Sequence, residues 1–79
     1  MITENDIKNE VQALNDAASG YGRNYEYRMG KDNMIGLFDV HNETYKPIYC
    51  SKTTAGFFAY VSLLKNIFRK GMIPDKNTE

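Results

Sequence analysis

Seventy-nine residues, with ten Lys and Arg against ten Asp and Glu and a formal net charge of zero, describe one small globular domain. A chain this short buries only about 60–65% of its unfolded surface, so its core is thin. Neutrality removes any general attraction to nucleic acid or an anionic membrane, and the single cysteine, Cys50, excludes an internal disulfide framework.

The first predicted element is a helix over residues 2–19. Thr3 is a good N-cap, and Asp6 completes an imperfect capping box three residues on. Ile7, Val11, Leu14 and Ala18 form a narrow apolar stripe. Asn5, Asn9, Asn15 and Asp16 are poor helix formers, so this helix depends on docking. Gly20 stops it and Gly22 loosens the link that follows.

Residues 24–29 alternate in a strand pattern, with Tyr25, Tyr27 and Met29 on one side. Residues 30–33, Gly-Lys-Asp-Asn, make a turn. Residues 34–40 are a second strand with two apolar faces, which suits a central position. His41, Asn42, Glu43 and Thr44 form the next turn. Residues 45–50 are a third strand, placed at an edge by Pro47.

The chain is organised around the stretch that follows, residues 51–71. Phe57, Tyr60, Val61, Leu64, Ile67 and Phe68 recur at helical spacing. Ser51 or Thr53 caps the start, and Gly71 ends the helix after Arg69 and Lys70. Residues 72–74 tuck back and residues 75–79 fray, giving one domain over residues 1–74 and a short tail.

The predicted fold is therefore α+β, in the order α-β-β-β-α. It is a three-stranded antiparallel meander with both helices on one face. Simple hairpin registers put Tyr25, Tyr27, Met29, Met34, Gly36, Phe38, Val40, Tyr45 and Tyr49 on one sheet face, toward the helices. Ile35, Leu37, Ile48 and Cys50 then look outward, among Asn24, Glu26, Arg28, Asp39 and Lys46. A one-residue slip exchanges the faces.

Candidates for chemistry are few. His41 and Cys50 fall at opposite ends of a hairpin arm, about 20 Å apart, so they do not form a nucleophile–base pair. Two such residues also fall short of a metal site. Asp39 and Glu43 flank His41, in or beside a turn where solvated acids are common. Gly20-Tyr21-Gly22 follows a helix instead of opening one, so it is no phosphate cradle. The sequence predicts no enzyme and no cofactor.

Six tyrosines and four phenylalanines suggest base stacking, but only Arg23, Arg28, Lys46 and Lys52 interleave them. The element order resembles the double-stranded RNA-binding domain, whose last helix opens with a basic run. Here residues 51–58 hold Lys52 alone, so nucleic acid is not the expected ligand.

What remains is charge and apolar surface. Residues 1–20 carry Glu4, Asp6, Glu10 and Asp16 against Lys8, whereas residues 51–71 carry Lys52, Lys65, Arg69 and Lys70 with no acid. Either the two ends attract each other or both faces are solvated. Two partner-binding patches compete: Ile35, Leu37, Ile48 and Cys50 on the open sheet face, and Phe58 with Lys65 and Arg69 on the last helix. The alternative for Phe58 is packing on the tail or the first helix. The expected partner is a protein, either a host factor or a second copy of the chain. No window reaches the length of a membrane span, and residues 1–20 have no signal-peptide pattern, so a cytoplasmic protein is expected.

Residues 45–64, YKPIYCSKTTAGFFAYVSLL, together with the element order, resemble small accessory proteins of phages and mobile elements. Some proteins of this build, including certain anti-CRISPR inhibitors, block a host protein. The resemblance implies a small inhibitor acting in the host cytoplasm. The inhibitors in question are strongly acidic mimics of nucleic acid, and this chain is neutral.

Overall fold

The computed structural model describes residues 1–71, so the expected tuck and fraying of residues 72–79 lie outside it. Helix α1 (Glu4–Ala18) leads through a short 3-10 turn to strand β1 (Tyr25–Met29). Strands β2 (Ile35–His41) and β3 (Thr44–Ser51) follow, then helix α2 (Thr54–Arg69). The strands form one antiparallel sheet in the order β1-β2-β3, which makes β2 central as its apolar pattern predicts.

Helix starts are fixed by side chains. Thr3 Oγ1 accepts from the Asp6 N–H at 3.2 Å while Asp6 Oδ2 accepts from the Thr3 N–H at 2.9 Å, so the short Asp closes a full capping box. Thr53 caps α2 by accepting from the Gly56 N–H at 3.0 Å. A Cβ at Gly56 would stand 2.8 Å from that hydroxyl and 2.9 Å from Ser51 Oγ, so glycine makes room for the cap. After α1 the left-handed residue is Gly22, at φ 73°, rather than Gly20.

Both helices lie on the same sheet face. Ile7, Val11, Leu14 and Ala18 of α1 and Phe57, Val61, Leu64 and Phe68 of α2 share one buried cluster with Tyr25, Ile35 and Leu37. At about 1.5–3 kcal/mol for each fully buried large side chain, this cluster is the main source of stability. Tyr49 extends it, stacked on Tyr60 at 4.1 Å between ring centroids and tilted against Phe57 at 6.4 Å.

Asn15 ties α1 to the sheet edge. Its Nδ2 donates to the Tyr25 carbonyl at 3.0 Å and its Oδ1 accepts from the Tyr25 N–H at 2.7 Å. Those two backbone groups have no strand beside them, so a poor helix former is kept where it satisfies an edge.

The sheet register departs from the expectation by one residue in β2. Tyr27 pairs with Leu37 and Met29 with Ile35, so Ile35 and Leu37 face the helices and are buried. Gly36, Phe38 and Val40 face outward instead. The turn explains the slip. Gly30 donates to the Met34 carbonyl at 2.7 Å, which closes a loop over residues 31–33 instead of 30–33. Asp32 and Asn33 are both left-handed there, at φ 58° and 62°, a conformation that short polar side chains tolerate.

A second irregularity divides β3. Leu37 pairs with Tyr49 but Phe38 pairs with Pro47, so Ile48 is the extra residue of a bulge. Proline has no N–H to give to the ladder, so the break falls where the ladder is already weakened. The bulge changes parity along β3. Tyr49 turns to the helices while Tyr45 turns to the open face, although plain alternation would put both on one side.

Candidate functional site

The helical patch does not stand free. Phe58 is half-buried and packs against the core cluster. Lys65 lies on the same side of α2, and its Nζ is 2.6 Å from Glu10 Oε2 on α1. Ser62 Oγ donates to the same carboxylate at 2.8 Å. Burial disfavours the Glu10 charge, yet the bonds from Lys65 and Ser62 and the charges of Lys65 and Arg69 outweigh it and hold the carboxyl below its ordinary value. Arg69 alone of the patch is exposed. This surface is therefore largely the α1–α2 seam, where the acidic and basic ends of the chain attract.

The sheet patch is re-sorted by the register. Ile35 and Leu37, at 2% and 0% exposure, belong to the core and cannot meet a partner. Ile48 and Cys50 are exposed, but Ile48, unpaired at the bulge, borders both the open face and the recess beneath α2. The neighbours of Cys50 on the open face are Gly36, Phe38 and Val40 from β2 and Tyr45 and Pro47 from β3. Among the described residues, charge on this face comes from β1, with Glu26 and Arg28. Arg28 extends across the face, its guanidinium carbon 4.5 Å from the Tyr45 ring centroid and 5.7 Å from that of Phe38. Glu26 Oε1 lies 3.5 Å from Arg28 Nη2. Gly36, opposite both Arg28 and Cys50, adds no side chain, and a shallow depression opens beside the Phe38 ring.

An antiparallel sheet with one covered face ordinarily turns polar side chains outward. This one turns out Phe38, Val40, Tyr45, Pro47 and Cys50, and no described helix lies over them.

Other candidates are weaker. His41 pairs with Thr44 at one end of the β2–β3 hairpin, while Cys50 pairs with Gly36 toward the other, about 17 Å along the strands. The His41 ring nitrogen Nε2 instead meets the Asn42 amide at 3.2 Å. Asp39 is in an ion pair with Arg23 at 3.6 Å. Arg23, Tyr25, Asp39, Lys46, Ile48, Tyr60 and Leu64 line a recess of about 130 Å³, well below the roughly 300 Å³ at which small-molecule pockets begin. Burial, and then the neighbouring Tyr49, push the Tyr60 phenol above its ordinary value, so it stays protonated there. Among the described residues no group of three His, Cys, Asp or Glu could hold a metal ion, and no helix is long and apolar enough to cross a membrane.

The sequence missed Phe38, Val40 and Tyr45 as surface residues. The legible signal was Pro47, the natural place for a bulge, together with the Asp-Asn pair in the first turn. No protein-family model, curated protein or solved structure matches this chain.

Proposed function

We propose that this protein is a non-catalytic docking module that binds another protein through its open sheet face. The observation that carries the reading is that face's composition, apolar and aromatic where solvent exposure favours polar residues. Tyr45 on the edge strand, bridged by Arg28 to Phe38 on the central one, is the kind of aromatic–arginine cluster that dominates interface energies. Blocking a host protein, the role implied by the resemblance to accessory inhibitors, is one use of such a surface.

The test is affinity capture from the source cell with tagged wild type, Tyr45→Lys and Leu63→Lys. Leu63 is 58% exposed on the far side of α2 and serves as the control. The reading expects a captured protein to be lost with Tyr45→Lys and kept with Leu63→Lys. An identical set of captured proteins from all three would refute it. His41→Ala and Cys50→Ser are expected to leave binding in place. Loss of activity in either, with the fold intact and the captured partner retained, would point to catalysis instead.

A further inference from the structure

Resting on the reading of the open face as a docking surface, we infer that its occupant is a second copy of this chain, packed sheet against sheet about a two-fold axis.

Charge selects this occupant. Among the described residues the face holds one acid, Glu26, and one cation, Arg28, and these already neutralise each other. Such a surface offers no field to steer a strongly acidic or basic partner, and it meets its own image without like-charge repulsion. The aromatic rings also resemble a base-stacking platform, but a strand of nucleic acid needs a basic groove along it, and this face has a single, compensated arginine.

Shape agrees. A two-fold contact uses the same patch on both sides, so the patch must be complementary to itself. Here the ridge of Arg28, Phe38 and Tyr45, with the Phe38 ring folded over Gly36, runs beside a depression bounded by Pro47 and Cys50. A half-turn about an axis between them brings each ridge over the other copy's depression.

Size sets the strength. Three strands at about 4.8 Å spacing and up to eight residues at about 3.3 Å give a footprint of roughly 14 by 25 Å. Side-chain relief raises this to roughly 500 Å² of accessible surface per copy, about 1,000 Å² for the pair, at the lower edge of specific interfaces. That size belongs to weak, transient contacts, so the pair is expected to dissociate on dilution.

Sedimentation equilibrium from about 1 µM to 1 mM tests this, with circular dichroism to confirm that each variant is folded. Wild type is expected to pass from monomer to dimer across that range. Phe38, in the middle of the middle strand, lies beside an axis so placed. Phe38→Lys and Phe38→Glu are each expected to weaken self-association at least about tenfold, and an equimolar mixture to restore it. If these variants unfold, Tyr45→Lys decides by the same criterion. A wild type that stays monomeric at 1 mM overturns the inference. If a foreign protein is then captured in a Tyr45-dependent way, the docking reading survives with a different occupant. A dimer indifferent to folded Phe38 and Tyr45 variants overturns it too, as does a single-stranded oligonucleotide that binds this face and dissociates the dimer.

Discussion

Truncating Leu37 and Phe38 in turn tests the sheet register, on which the position of the open face depends. The two residues are adjacent on β2 and point to opposite faces. Leu37 has no solvent exposure and stands between Tyr27 and Tyr49. Leu37→Ala removes roughly 2.4 kcal/mol of transfer free energy at about 0.8 kcal/mol per carbon. The cavity left under two helices raises the loss to about 3–4 kcal/mol. A chain of this length has roughly 4–12 kcal/mol in total, so the variant is expected to be marginal or unfolded. Phe38 is only half-buried, packed over Gly36 and 5.7 Å from the Arg28 guanidinium. Phe38→Ala is expected to cost about 1 kcal/mol, since an exposed cation–π contact is worth about 0.5–1. Urea titrations followed by circular dichroism resolve a gap of about 2 kcal/mol readily. Equal costs, or a larger cost at Phe38, would mean that β2 presents its other face to the helices and would remove the docking face with it.

Two further perturbations probe the seam and the second turn. Because the folded Glu10 carboxyl sits below its ordinary value, its contribution is fully present above the unfolded value of about 4.3 and is lost as pH falls through the folded value. Glu10→Gln should therefore flatten the acid limb of a stability–pH curve, and acid limbs of identical slope would contradict the seam as described. Asn42 and Glu43 both have positive φ, at 50° and 67°, in the two-residue turn that joins β2 to β3. Glycine is favoured at the second of these positions, so Glu43→Gly is expected to gain about 0.5–1 kcal/mol and raise Tm by about 4 °C, whereas a fall in Tm would contradict the turn geometry.

The elements and their order were legible because each carries its own signal. Ile7, Val11, Leu14 and Ala18, and Phe57, Val61, Leu64 and Phe68, repeat at helical spacing, and all eight are buried. The sheet faces were not legible, because strand parity depends on details that periodicity does not carry. One residue fewer in the first loop moves Leu37 from surface to core, and one extra residue at Ile48 separates Tyr45 from Tyr49. Alternation supplies no defence in β2, where both sets of side chains are apolar and either face suits the core. The pairing is then decided by Asp32 and Asn33 in the turn and by Pro47 in the strand.

The candidate site was half legible for a related reason. An unpaired charge and a paired one look alike in sequence, and so do a covering Phe and an exposed one. The cationic run of α2 looks like a surface for an acidic partner until α1 is placed beside it. Glu10 then takes Lys65 and Ser62, and Phe58 packs beside the same seam. What the folded chain leaves exposed and apolar is consequently not its most charged stretch but its most neutral one, the outward row of β2 and β3. A surface with little net field gains little from long-range attraction and must rely on fit and desolvation at contact. Raising salt should accordingly leave binding at the open face nearly unchanged, whereas an electrostatically recruited partner would be released.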